Sequence, residues 1–193
     1  MAQIFQTGIV INGLTGETNS LQIKTGDTVS FNVSTNGNVG VGNNLPEAKL
    51  HLVGFDNTSS NYALKTENST GGTLFNVRND GVIEVYGTIT PRIQSVISSA
   101  TVTPTNLNDE VVITAQAVGL TLANPTGTPV QGQSMIIRIK DNGTAQTIAY
   151  DTQYVAIGVT LPTTTVINKL VYLGLIYNFE DTKWDVIGVS QQA

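Results

Sequence analysis

The chain has 193 residues, of which 12% are charged and 40% hydrophobic, with a net charge of −5 and no cysteine. This hydrophobic fraction suits a packed core and argues against wholesale disorder, and the lack of cysteine excludes disulfides and thiolate metal sites. The nine Lys and Arg residues are scattered singly, so the clustered basic face that nucleic-acid binding requires is missing.

The first residues, 1–13, show no basic region followed by a long apolar run, so no signal peptide is visible. No stretch of the sequence is apolar for the length that a membrane span requires. We therefore expect synthesis in a cytoplasm, export by no secretory route and no insertion into a membrane.

Short runs of alternating apolar and polar residues follow one another closely along the chain, which predicts an all-β fold. The first half contains an internal repeat, because Phe-Asn-Val occurs at residues 31–33 and again at 75–77. Each copy is followed by three residues and a glycine, in the dipeptides Asn36-Gly37 and Asp80-Gly81. These dipeptides favour a type I′ hairpin turn, so each copy is predicted to be strand, turn, strand. Such units bury little alone and need neighbours in this chain or in others.

The segment GNVGVGNNLPEAKLHLVG, residues 37–54, is rich in glycine, which raises the question of whether it is a phosphate-binding loop. A phosphate loop leads into a helix, whose amide groups converge on the anion. The residues that follow the loop here, 49–53, alternate as a strand does. We therefore interpret the segment as part of the repeat. His51, the single histidine, is predicted to be a surface residue of that strand, although three copies on a three-fold axis could bind an ion.

Residues 91–108 are framed by Pro91 and Pro104 and are predicted to be a junction. Residues 109–193 have longer and more apolar strands, which predict a β-sandwich or jelly-roll-like module. Within it, residues 134–150 are predicted to be a hairpin around Asp141-Asn142-Gly143. Residues 168–178 are apolar on both faces, as in a central strand covered on both sides.

Aromatic residues of the second half could stack on sugars. Tyr150 and Tyr154 flank a short polar loop and are predicted to lie on the surface, where they could face a ligand. Trp184 lies on a strand that returns from a turn, and it is predicted to belong to the core.

The sequence offers little for catalysis. With one histidine, a Ser-His-Asp triad would have to use His51, and no Gly-x-Ser-x-Gly motif is present. Most carboxylates lie beside turns, where Asp is favoured for local hydrogen bonds. We therefore predict that the protein is not an enzyme and binds no cofactor or metal, although a carboxylate pair formed on folding would indicate a polysaccharide depolymerase.

Two regions resemble structural proteins of tailed bacteriophages. Residues 37–54 are similar to a G-x-V-G-I-G-T-x-x-P-x-x-K-L-H-V segment that recurs in phage fibre proteins. The positions that fit the pattern are Gly37, Val39, Gly40, Val41, Gly42, Pro46, Lys49, Leu50 and His51, although Val41 is smaller than the usual isoleucine. Asn43 replaces the usual threonine. Residues 135–189 look like a terminal β domain of phage structural proteins.

The resemblance implies a homotrimeric head fibre or capsid decoration protein of the virion, assembled in the host cytoplasm. Residues 1–20 would dock on the capsid or another virion protein, residues 21–90 would form an intertwined trimeric β stalk, and residues 109–193 would form a C-terminal knob. The knob could contribute to host attachment through surface glycans. The alternative is a receptor-binding or carbohydrate-binding tail-fibre tip with the same architecture.

Overall fold

A computed structural model describes residues 19–26 and 28–193. All regular elements in these residues are β-strands, which confirms the all-β class. The chain divides into two compact units, residues 1–89 and 90–193. The predicted docking segment, residues 1–20, lies outside the described residues except at its last two positions.

The N-terminal unit contains two sheets whose strands lie side by side in chain order. The first consists of β1 (Asn19–Thr25), β2 (Thr28–Ser34), β3 (Val39–Val41) and β4 (Leu50–Leu52). The second consists of β5 (Tyr62–Glu67), β6 (Thr73–Arg78) and β7 (Ile83–Val85). The two Phe-Asn-Val copies occupy the same register in β2 and β6, which confirms the predicted repeat of antiparallel hairpins.

The hairpin turns differ in type from the prediction. Gly37 has a φ of 72° and Gly81 a φ of 91°, but neither Asn36 nor Asp80 has a positive φ. A type I′ turn requires positive φ at both central residues. The amide of each glycine instead donates to the carbonyl three residues earlier, that of Ser34 or Arg78. This is a type I turn followed by a left-handed glycine, the usual three-residue hairpin connection.

Residues 37–54, which we considered as a phosphate loop above, contain two parallel strands and the connection between them. Residues 42–49 leave β3 and return to β4, which pairs with β3 in parallel. This connection is shorter than the dozen or more residues that usually join parallel neighbours. A strand follows the glycines where a phosphate loop would need a helix, so the interpretation as part of the repeat is confirmed.

The C-terminal unit contains a six-stranded sheet and a three-stranded sheet. The larger has the order β14-β16-β15-β12-β10-β8 and the smaller β13-β11-β9. Their bounds are β8 (Ile93–Val96), β9 (Thr101–Val102), β10 (Glu110–Gln116), β11 (Leu120–Leu122), β12 (Ser134–Asp141), β13 (Ile148–Tyr150), β14 (Tyr154–Ala156), β15 (Leu170–Asn178) and β16 (Lys183–Gln191).

From β8 to β13 the chain alternates between the two sheets. β8, β10 and β12 are parallel neighbours in the large sheet, and β9, β11 and β13 are parallel neighbours in the small one. Each pass through both sheets therefore stacks on the previous pass, as the coils of a parallel β-helix do. β15 and β16 then add antiparallel strands to the large sheet. We expected a β-sandwich or a jelly-roll-like module. Two sheets are present, as in a sandwich, but the neighbours from β8 to β13 are parallel, whereas a jelly roll has antiparallel neighbours.

The core of the C-terminal unit lies between the two sheets. It is formed by buried side chains of both, among them Val111, Ile137, Leu173 and Leu122. Trp184 is fully buried, as predicted, and its ring lies 5.3 Å from that of Tyr177 on the neighbouring strand. The alternation of buried and exposed residues along β15 shows that one face of this strand meets the core.

Three expectations for this part of the chain are corrected. Residues 91–108 are not a separate junction, because they supply β8 and β9 to the C-terminal unit. Residues 134–150 do not form a hairpin, because β12 and β13 lie in different sheets. β15 is central in its sheet, but only one of its faces is buried within the chain, and Tyr172 on the other face is 36% exposed.

Two polar side chains explain how the chain changes direction between the sheets. Gln116 and Asp141 are in register on β10 and β12, and both are buried. Gln116 donates from Nε2 to the carbonyl of Ser99 and accepts at Oε1 from the amide of Ser99. Asp141 Oδ1 accepts from the amides of Gly143 and Asn168, each at 2.9 Å. Side-chain bonds therefore hold consecutive corners, and Asp141-Asn142-Gly143 becomes a corner instead of a hairpin turn.

Candidate assembly surface

One face of the β1–β4 sheet is apolar across all four strands. Neighbouring strands place its side chains in two rows, and these rows are Ile23, Phe31, Val41 and Leu52, and Leu21, Val33, Val39 and Leu50. None of these side chains is buried, and Ile23 and Leu50 remain more than half exposed, at 54% and 57%. A sheet face of this composition is normally covered by another layer.

The β5–β7 sheet repeats this arrangement. Its two rows are Leu64, Val77 and Ile83, and Thr66, Phe75 and Val85. Ile83 is 63% exposed, and no member of either row is buried. We call these two faces together the apolar faces of the N-terminal unit.

The N-terminal unit lacks an apolar interior in its described part. Among residues 21–89 whose burial is described, only Asn32, Gly40, Pro46 and Asn76 are buried. All of the buried aliphatic and aromatic core side chains lie in the C-terminal unit. Hydrophobic burial is the main favourable term in folding, so this unit needs further apolar surface to cover its faces.

The opposite face of the β1–β4 sheet is polar and is covered by the 42–49 connection. Asn32 Nδ2 donates to the carbonyl of Asn44 at 3.0 Å. Gly40, beside Asn32, permits this approach, because a Cβ atom there would lie 2.2 Å from the backbone oxygen of Asn43. Within the described residues, the polar face is therefore covered by the 42–49 loop, whereas the side chains of the apolar face stay partly or largely exposed.

The substitution Gly40→Ala is expected to destabilise the chain by about 1–3 kcal/mol, because the added methyl group must displace the 42–49 backbone. Urea unfolding of the full chain measures this loss. Gly87→Ala is the matched control, since a Cβ atom at Gly87 would have no atom within 4 Å. Equal stability of the two variants would show that the loop is not held against β3.

His51 anchors the 42–49 connection. Its Nδ1 accepts from the side-chain amide of Asn43 at 3.0 Å and from the backbone amide of Glu47 at 3.3 Å. With Nδ1 as the acceptor, the neutral ring carries its proton on Nε2. Nε2 is then the donor of this ring. The side chain is half-buried, and we had predicted a plain surface position.

On the polar face of the β5–β7 sheet, the buried asparagine bonds to a side chain instead of a loop carbonyl. Asn76 Nδ2 donates to Glu84 Oε2 at 3.2 Å, and Glu84 occupies the position across from Asn76 that Gly40 occupies across from Asn32. Arg78 and Tyr86 also bind the Glu84 carboxylate. The hydrogen bond from Asn76, followed by those from Arg78 and Tyr86, lowers the pKa of Glu84. Both buried asparagines escaped the sequence analysis, although a polar residue at the same mid-strand position of each copy was a visible signal.

Tyr150 and Tyr154 do not form the exposed pair that we predicted. Tyr154 is buried, and its hydroxyl donates to the carbonyl of Ala123. Tyr150 packs against the core, and its hydroxyl donates to the carbonyl of Pro162. Burial raises the pKa of both hydroxyls. The two rings contact each other edge to face. The loop between them, residues 151–153, is largely exposed, but the two rings point towards the core, which the alternation of residues did not reveal.

No cluster of metal ligands appears in the part of the chain that the structure describes. These residues contain no group of three or more His, Asp or Glu side chains placed to hold a metal ion. A groove of about 300 Å³ lies between the turn at 34–36 and the loop at 44–47, and it is lined by Ser34, Thr35, Asn36, Asn44, Leu45, Pro46 and Glu47. Glu47 is its one ionisable side chain. Residues 19–26 and 28–193 also lack a helix with the length and hydropathy needed to cross a membrane.

The ion pair of Arg92 and Asp109 predicts sensitivity to acid. Asp109 accepts from the guanidinium of Arg92 at 2.6 Å and from its backbone amide at 2.7 Å, and these bonds lower its pKa to about 2. A lowered pKa contributes stability that is complete above the unfolded-state value of 3.8 and is lost as the pH falls towards 2. The destabilisation caused by Asp109→Asn should therefore be constant above about pH 4 and shrink below it.

Urea midpoints of the wild type and the Asp109→Asn variant, measured from pH 7 to pH 2, test this expectation. Glu180→Gln is the control, since Glu180 lies exposed in the turn after β15. A stability difference between wild type and Asp109→Asn that does not change over this pH range would contradict the assignment.

Comparison with known proteins adds no relative. No protein-family model matches the chain, and no curated protein matches it. The functional argument therefore depends on the faces described above and on the resemblance of residues 37–54 and 135–189.

Proposed function

We propose that this protein is a structural component of a bacteriophage particle, a homotrimeric head fibre or capsid decoration protein. The observation that carries the proposal is the pair of apolar faces in a unit whose described residues bury no aliphatic or aromatic side chain except Pro46. Other copies of the chain would cover these faces.

The need for partner chains comes from the N-terminal unit, and their number comes from the resemblance to phage fibres. Three copies around an axis would bring equivalent apolar faces together and remove them from water. Burial contributes roughly 25 cal/mol per Å² of apolar surface, so the stability of the stalk would come mostly from contacts between chains. The proposal also assigns residues 1–20 to docking on the virion.

The C-terminal unit would serve as the knob, since it has a hydrophobic core of its own. Adhesion to a host surface would be a property of its exterior. The alternative is a receptor-binding or carbohydrate-binding tip. Of the aromatic side chains that could stack on a sugar, Tyr150 and Tyr154 have hydroxyls that are bonded to the chain's own carbonyls.

Light scattering of the purified full chain tests the assembly. The expected mass is three times the 20.4 kDa of one chain, unchanged on dilution. A folded and stable sample with the mass of a single chain would refute the proposal. Labelling of intact particles with an antibody against residues 109–193, viewed by electron microscopy, would then locate the protein on the head or the tail.

A further inference from the structure

The middle strand of each repeat contains a buried asparagine between two apolar neighbours. Asn32 and Asn76, the central residues of the two Phe-Asn-Val copies, are 0% and 1% exposed. Asparagine is disfavoured within strands, and burying an amide is costly unless it is hydrogen-bonded. The same costly residue nevertheless occupies the same register in both sheets.

The two asparagines are satisfied in different ways. Asn32 donates to a loop carbonyl, which can approach because residue 40 is glycine, whereas Asn76 donates to the side chain of Glu84. Asn76 Oδ1 is buried and has no hydrogen-bond partner among the described residues. An unpaired buried acceptor reduces stability, so Asn76 is a poor choice if its purpose is to stabilise the sheet.

From this contrast we infer that Asn32 and Asn76 determine which face of each repeat sheet meets the partner chains. The inference rests on the proposed assembly and assigns its specificity to these two residues. With a leucine or valine in their place, each of these strands would lose the one fully buried polar side chain on its polar face and would keep there only partly buried polar side chains such as Ser30, Ser34 and Arg78. The two faces would then differ less in polarity, and the wrong face could turn towards a partner. A buried polar residue fixes register and oligomeric state in coiled coils at a cost in stability, and here the same physics would select a face.

The polarity of the residue and the stability of the sheet can be separated with two double variants of the full chain. Asn32→Leu with Asn76→Leu removes the polarity and supplies apolar side chains of similar size. Asn32→Ser with Asn76→Ser keeps a polar residue and removes the hydrogen bonds to Asn44 and Glu84. Asn57→Leu, at an exposed loop position outside the strands, is the matched control.

For the leucine variant we expect loss of the single assembly mass in light scattering, with several masses or precipitation in its place. We expect the serine variant to melt at a lower temperature than the wild type and to keep the single mass. Asn57→Leu should match the wild type in both measurements.

Three results would overturn the inference. The first is a leucine variant that keeps the single wild-type mass, whatever its melting temperature. The second is a serine variant that also loses that mass, since stability and not polarity would then govern assembly. The third is an Asn57→Leu control that becomes heterogeneous. A monomeric wild type would instead refute the proposed function, so the two failures are distinguishable.

Discussion

The double substitution Phe31→Asp and Phe75→Asp is expected to break the assembly into single chains and to unfold the N-terminal unit of each chain. Both rings lie on the apolar faces, in the central strands β2 and β6. Covering a phenylalanine side chain contributes about 1.5–3 kcal/mol, and each chain would lose two. The carboxylates would also have to be buried without a partner, which costs further free energy. Light scattering measures the mass, and limited proteolysis measures the exposure of residues 19–85.

Phe179→Asp is the matched control for this variant. Phe179 is 61% exposed and lies in the C-terminal unit, in the turn after β15. The same chemical change there should leave the mass and the proteolytic pattern unaltered. A double variant of Phe31 and Phe75 that keeps the wild-type mass would show that the apolar faces are not the contacts between chains.

Truncation of Trp184 to alanine is expected to destabilise the C-terminal unit by about 3–5 kcal/mol. The indole is fully buried and packs against Tyr177 directly across the β15–β16 pair. Its removal would leave a cavity between the two sheets, which close-packed neighbours fill only in part. Urea unfolding followed by far-ultraviolet circular dichroism measures the loss without relying on tryptophan fluorescence.

Phe179→Ala provides the comparison, because it removes an aromatic ring from the exposed turn next to Trp184 in the chain. Its effect should lie within about 0.5 kcal/mol of the wild type, as for most surface changes. If both alanine variants unfolded at the same urea concentration, Trp184 would not be part of the core that the structure shows.

The sites were less predictable than the strands. The sequence indicated that the first half could not bury enough surface alone, and the uncovered rows that include Phe31 and Phe75 agree with that reasoning. The role of His51 in holding the 42–49 loop could not be predicted, because its partners Asn43 and Glu47 become neighbours only when β4 returns beside β3.

Local chemistry by itself determined the β class, the two Phe-Asn-Val hairpins and the interior position of Trp184. The alternation of apolar and polar residues decides which side chains share a face of a strand, and a glycine after a short polar run marks a turn. Both signals depend only on residues that are neighbours in the chain. Only the tertiary structure decided the parallel coils of residues 93–150 and the burial of Tyr154. The residue pattern of a strand does not predict which other strand will pair with it, and parallel partners are distant in the chain. Asp141 is an example of such a distant contact. It accepts a hydrogen bond from the amide of Asn168, and the predicted hairpin turn at Asp141 is instead a corner between two sheets.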